Sequence, residues 1–131
     1  MSDERIPKSA LFSEIVEKAV ESEGIFINEL HDGDVIEIQI TPYTYTMRII
    51  DSGERLVEVN TSNPDIRSPF QANVSGSLLS DFGTSIRLGW IAVGFRLELY
   101  LRPFENLYLP RIEAISINGT RIFPAPKSPV M

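Results

Sequence analysis

The apolar positions of this chain follow one period before Gly24 and another after it. Over residues 9–23 they recur three and four positions apart, which is the spacing of one face of a helix. Ser9 can cap the first turn, and Gly24 stands where a left-handed ending is favoured. We therefore predict one amphipathic helix over residues 9–23, with its apolar face packed against the rest of the domain.

Beyond residue 33, apolar and polar side chains alternate, as expected for β-strands with one buried face. The alternation is clearest over residues 34–40, 43–50 and 95–102. The side chains it assigns to buried faces are Ile36, Ile38, Ile40, Tyr43, Tyr45, Met47, Ile49, Phe95, Leu97, Leu99 and Leu101. Shorter strands are predicted over residues 56–59, 70–75, 111–117 and 121–123.

Turn residues separate these strands. The segment at 51–54, Asp-Ser-Gly-Glu, lies between two of them, and Asn118-Gly119 is the signature of a tight hairpin. The apolar phase slips between Ile112 and Ile115. We predict a bulge or bend there, because a slip of one residue would otherwise turn core side chains towards water.

Six or seven short strands with one helix predict a mainly β fold, namely a small antiparallel barrel with the N-terminal helix over an open end or an edge. An SH3-like or split barrel is the preferred architecture, and a barrel like the oligonucleotide-binding fold is the second. The predicted organisation is a single domain over residues 9–123, with the helix at 9–23 and the barrel at 34–123. A flexible N-terminus (1–8) and a flexible, proline-rich tail (124–131) flank it.

Composition and charge narrow the function classes. No apolar run reaches the roughly 18 residues of a membrane-spanning helix, and the first residues lack the apolar segment of a secretory signal, so we predict a cytoplasmic protein without a membrane partner. The net charge is −6, and residues 1–40 alone carry −7, so nucleic acid is not an expected partner. The absence of cysteine excludes disulfides, thiolate metal sites and a cysteine nucleophile.

The least generic stretch runs from residue 75 to residue 94 and contains four of the eight glycines and the only tryptophan. Glycine permits close backbone approach, while Trp and Arg are enriched at binding hot spots. We predict that a partner or ligand is contacted here by Ser77, Thr84, Ser85, Arg87 and Trp90. The structural alternative is that the glycines serve bulges and corners of the sheet while Trp90 fills the core.

Four motifs of this stretch also suggest relatives. They are Gly76-Ser77, Gly83-Thr84-Ser85-Ile86, Gly89-Trp90-Ile91 and Val93-Gly94-Phe95-Arg96-Leu97-Glu98-Leu99. With the alternating strands before them, they resemble the core of a family of small bacterial β proteins without an assigned activity, over residues 30–117. This chain has Thr84 and Ala92 where that family has glycine. The resemblance implies a structural core and no activity.

Signatures of catalysis are mostly missing, and we predict no catalytic residue, metal or cofactor. His31 lies beside Asp32 and Asp34 and is the only histidine available to activate Ser75, Ser77 or Ser85. Its more ordinary role is that of a loop residue before a turn. The same carboxylates lack the twelve-residue spacing of a calcium loop.

The preferred function is a non-enzymatic binding or assembly module that contacts a protein partner, or a second copy of itself, through the glycine-rich stretch or through strand-edge pairing. The alternative is a small-ligand or carbohydrate-binding barrel, with Tyr43, Tyr45 and Trp90 as stacking faces. A third is a cyclic-dinucleotide site. Arg67 and the later Asn73-Val-Ser75 resemble part of the PilZ motif, although the second arginine of that motif is missing here.

Overall fold

The computed structural model describes residues 24–80 and 85–124, and within them the chain is mainly β, with one 3-10 turn at Ile27–Glu29. The strands are β1 Gly24–Phe26, β2 Val35–Ile40, β3 Tyr43–Asp51, β4 Leu56–Thr61, β5 Phe70–Leu78, β6 Ile86–Leu88, β7 Trp90–Ala92, β8 Arg96–Leu101, β9 Glu105–Leu109, β10 Ala114–Ile117 and β11 Thr120–Phe123. The predicted helix at 9–23, the predicted flexible N-terminus at 1–8 and all of the predicted tail at 124–131 except Pro124 lie outside the described residues. None of the described residues belongs to a helix long and apolar enough to cross a membrane, and the cytoplasmic location stays a prediction.

The strands form two antiparallel sheets. The larger follows the order β11-β10-β2-β3-β4-β5-β8-β9, with β6 also paired to β5, and the smaller joins β1 to β7. Strands β2 to β5 form a meander, because each pairs with the next one along the chain. The β8–β9 hairpin extends this meander beyond β5, and the β10–β11 hairpin extends it beyond β2.

The alternation predicted from the sequence is confirmed in β2, β3 and β8, although Tyr43, Phe95 and Leu101, which it also assigned to buried faces, are only partly buried. The fully buried positions of these strands are Ile36, Ile38, Met47, Ile49, Leu97 and Leu99. Because successive side chains of a strand point to opposite faces, these residues share the inner face of the sheet and pack into one core cluster. The intervening residues, such as Arg96 and Glu98, remain partly exposed on the outer face.

The predicted closed barrel is not found. In a barrel every strand is hydrogen-bonded on both sides, whereas β9 and β11 end the sheet formed by the described residues with a partner on one side only. Alternation shows which face of a strand is buried, but it does not show whether the first and last strands of a sheet meet. The coarser prediction, a mainly β antiparallel fold, is confirmed.

Strand β5 changes neighbours along its length. Its first half pairs with β4 and its second half with β6, while β8 pairs along its other side. The register with β8 shifts between Val74 and Gly76, which marks a bulge. Gly76 has a φ of +141°, and a methyl group added there would overlap the backbone carbonyl oxygen of Arg87. Only glycine fits this close approach of β6 to β5 without strain.

The tight hairpin predicted at Asn118-Gly119 joins β10 to β11. The two residues have φ values of +50° and +88°, as a type I′ turn requires.

The chain is also irregular where the apolar phase slips, between Ile112 and Ile115. Ile112 makes an isolated bridge outside β10, which begins only at Ala114. The register with β11 shifts later, directly after Ile115.

Candidate functional site

The structure places the predicted site residues in different environments. Ser77 on β5 and Trp90 on β7 are fully buried. Arg87 on β6 is half-buried, and Ser85, just before β6, is exposed. Thr84 lies outside the described residues. Of the four that are described, only Ser85 and Arg87 therefore offer surface that a partner could reach.

Trp90 is a packing residue in this structure. Its ring centroid lies 5.0 Å from that of Phe95, and the guanidinium carbon of Arg87 lies 5.4 Å from the Trp90 ring and 5.3 Å from the Phe26 ring. Such distances are those of cation–π contacts. Gly24 lies so close to the indole that a side chain there would overlap it. These contacts agree with the alternative in which Trp90 fills the core.

Ser77 is buried beside Trp90 and hydrogen-bonds to its backbone. Its hydroxyl donates a 2.7 Å hydrogen bond to the backbone carbonyl of Trp90, and the bond is buried. A buried carbonyl needs such a partner. By contrast, the side chain of His31 is 91% exposed, and within the described residues no hydrogen bond joins it to Ser75, Ser77 or Ser85.

The acidic residues beside His31 fix turns. Asp34 accepts hydrogen bonds from the backbone N–H of His31 at 2.8 Å and from Asn118 Nδ2 at 3.1 Å. These donors, the backbone N–H above all, hold the pKa of Asp34 below the usual range of an aspartate. Asp32 accepts the backbone N–H of Ser52 at 2.9 Å. In the part of the chain that is described, no group of three His, Asp or Glu side chains is arranged to hold a metal.

The aromatic rings of the carbohydrate alternative are buried or half-buried. Tyr45 is 2% exposed, and its hydroxyl accepts a 3.2 Å hydrogen bond from Asn63 Nδ2. Tyr43 packs half-buried against the core cluster, and Trp90 is buried. Tyr45 and Trp90 therefore have no face free for a ligand in this structure, whereas Tyr43 is half-buried.

The sequence analysis missed β9, which forms one end of the larger sheet. It pairs with β8 over five consecutive residues without a register shift, and no described strand pairs with its other side. Phe104, at the tip of the β8–β9 hairpin, is 93% exposed, and Tyr108 on β9 is 45% exposed. The sequence pattern that could have predicted β9 is the short run between Pro103 and Pro110. The alternation in this run is hidden because tyrosine and leucine occupy both faces of the strand.

The outer face of the larger sheet carries a groove of about 360 Å³. Its lining residues are Leu56, Gln71, Ala72, Asn73, Tyr100 and Arg102. Leu56, Asn73 and Tyr100 stand opposite one another across β4, β5 and β8. The alternation over residues 95–102 places Tyr100 and Arg102 on the outer face, but only the strand order brings Tyr100 beside Asn73 of β5.

Comparisons of the chain with protein-family models, with curated proteins and with solved structures gave no match. The resemblance to small bacterial β proteins therefore stays a prediction. Two features of the described surface remain as functional candidates on geometry alone: the open side of β9 and the groove across β4, β5 and β8.

Proposed function

We propose that this protein is a non-enzymatic binding module in which β9 adds an extended segment of a partner protein to the edge of the larger sheet. The observation that carries the proposal is the open side of β9 beside an almost fully exposed phenylalanine. An end strand presents unpaired N–H and C=O groups, which are a template for another strand. In strand addition these groups provide affinity, and alternate side chains provide specificity.

Of the two strands that end the larger sheet, β9 is the better template. Strand β11 has four residues, a register shift against β10 and an exposed arginine, Arg121. Bulges and positive charges are common devices that protect a sheet edge from pairing. Strand β9 has five residues in unbroken register with β8, and its one charged residue, Glu105, stands at its first position.

Exposed aromatic side chains flank this template. Among the described residues the large hydrophobic side chains that are exposed are Leu88, Phe104 and Tyr108, and two of these three lie at β9 or its hairpin. The guanidinium of Arg96 lies 6.0 Å from the Tyr108 ring, which restrains the ring on the outer face. Aromatic residues of this kind dominate the energy of protein interfaces.

The glycine-rich stretch has a supporting role in this proposal. Gly76 and Ser77 lie in β5, which pairs with β8, and β8 in turn holds β9. Trp90, which the sequence suggested as a contact residue, is buried and is therefore not part of the proposed contact surface. Ser85 and Arg87 remain accessible, but β5 and β8 separate β6 from β9, so the strand-addition proposal does not use them.

Selection from a phage-displayed library of linear peptides tests this proposal. Peptides enriched on the unmodified protein should bind Phe104→Ser or Tyr108→Ser roughly tenfold or more weakly, because exposed aromatic anchors carry much of the binding energy. Arg121→Ser on β11 is the matched control and should bind as the unmodified protein does. Hydrogen exchange of the complex should show new protection of the β9 backbone amides.

Two results would overturn strand addition at β9. One is that no peptide is enriched above the background of an unrelated acidic protein. The other is that selected peptides bind both β9 variants with unchanged affinity, or protect amides elsewhere in the chain while those of β9 exchange at their free rate.

A further inference from the structure

The groove across β4, β5 and β8 lies on the outer face, and none of its lining residues belongs to β9. Its volume of about 360 Å³ falls within the range of roughly 300–1,000 Å³ that is typical of small-molecule sites. It combines an aromatic ring, an apolar side chain, two amides and a guanidinium, from Tyr100, Leu56, Gln71, Asn73 and Arg102. This mixture suits a ligand that has both a flat apolar face and several polar groups.

Most of the polar groups in the groove have free hydrogen-bonding capacity. The side chains of Gln71 and Arg102 make no hydrogen bond or ion pair with the other described residues. Asn73 uses its amide nitrogen on the backbone carbonyl of Glu54 at 2.8 Å, so its oxygen is still an acceptor. The Tyr100 hydroxyl accepts a long 3.4 Å hydrogen bond from the N–H of Phe104, so its proton can still be donated.

The charges along the groove favour a ligand with a negative group. Glu58 on β4 is the residue paired with Gln71 on β5. Its carboxylate already forms an ion pair with Arg48, at 2.9 Å between Oε1 and the guanidinium nitrogen. Arg102 has no such partner among the described residues and is exposed directly after the end of β8. A guanidinium binds a carboxylate through two parallel hydrogen bonds, which are stronger than those between neutral groups.

We propose that the groove binds a pyranose ring that carries a carboxylate, as in a uronic acid. The Tyr100 ring and Leu56 would contact the apolar face of the sugar. The free atoms of Gln71 and Asn73 would hydrogen-bond its hydroxyl groups, and Arg102 would bind its carboxylate. This site is distinct from the rings of Tyr43, Tyr45 and Trp90, which pack towards the core.

A titration followed by amide NMR tests the site with glucuronate, glucose and acetate as probes. Glucuronate should shift amide signals at residues 71–73 and 100–102, with an affinity about tenfold higher than that of glucose, because only glucuronate engages Arg102. Arg102→Gln should reduce the affinity for glucuronate to that for glucose. Tyr100→Leu should weaken both sugars, and Arg121→Gln, which changes an exposed arginine on β11, should leave both unchanged.

Three outcomes would overturn the proposal. The first is that glucuronate causes no shifts at these amides. The second is that acetate causes the same shifts at the same concentration, which would reduce the site to a non-specific anion contact. The third is that Arg102→Gln binds glucuronate as tightly as the unmodified protein, while its amide spectrum shows that it is folded.

Discussion

Replacing Gly76 by alanine should destabilise the fold more than any conservative change at a surface turn. The φ of +141° at this position costs a residue with a side chain about 1–3 kcal/mol. The added methyl group would also overlap the carbonyl oxygen of Arg87 and lie 2.9 Å from its carbonyl carbon and 3.0 Å from the nitrogen of Gly89. These are backbone atoms, so relief requires moving β6 away from β5, an overpacking cost of about 1–3 kcal/mol.

The two contributions together give a loss of about 2–6 kcal/mol, against a total stability that for a domain is about 5–15 kcal/mol. Gly119→Ala is the matched control, because Gly119 has a φ of +88° but no other atom within 4 Å of the added methyl group. It should lose only the backbone contribution, about 1–2 kcal/mol. Gly53→Ala, whose methyl group would meet only Asp51 Oδ1 at 3.4 Å, should be close to neutral.

Urea unfolding followed by the fluorescence of Trp90, the only tryptophan, measures all three variants. The free energies of unfolding of the variants can be compared if each free energy falls with urea concentration at the same slope. A Gly76→Ala protein that fails to fold while Gly119→Ala folds agrees with the upper end of the range. Equal losses in Gly76→Ala and Gly119→Ala would refute the reasoning, because the close approach of β6 would then contribute nothing.

Two further predictions follow from buried and charged hydrogen bonds. Ser77→Ala should lower the free energy of unfolding by about 1–3 kcal/mol, since the Trp90 carbonyl loses its buried donor; an unchanged urea midpoint would contradict this. The pKa of Asp34 is depressed in the folded state, so the ionised carboxylate of Asp34 stabilises the fold. This stabilisation is complete above the aspartate pKa of the unfolded chain, and it is lost as the pH falls through the pKa of the folded state. Asp34→Asn should therefore be less stable than the unmodified protein at about pH 7, and the difference should shrink towards about pH 3. A difference in urea midpoint that is constant between these pH values would argue against the linkage.

The sequence was sufficient to predict those strands and turns that are specified by residues close together along the chain. Strands β2, β3 and β8 are long enough for alternation to identify their inner faces, and Asn118-Gly119 specifies its turn through the conformations these two residues tolerate. Strands β1, β6 and β7 have three residues each, which is too few for a period to show. Strand β9 was missed because apolar side chains occupy both of its faces.

The candidate sites depend on neighbours that no local pattern specifies. The outward phase of Tyr100 was readable, but its place beside Asn73 depends on β5 lying next to β8. The density of glycine around Trp90 was compatible with both a binding loop and a set of close backbone contacts. The packing of Gly24 and Gly76 against other groups favours the second interpretation.

The pairing of β10 with β2 has a consequence for the order in which the molecule assembles. Asn118 accepts the backbone N–H of Val35 at 2.8 Å, and these residues are 83 positions apart along the chain. Closing so long a loop costs more entropy than forming the hairpins of the β2–β5 meander, and long-range contacts of this kind slow folding. We expect the C-terminal hairpin to join a sheet that already exists and, on unfolding, to leave it early. The lifetime of the native state would then depend on how long the pairing of β10 with β2 persists.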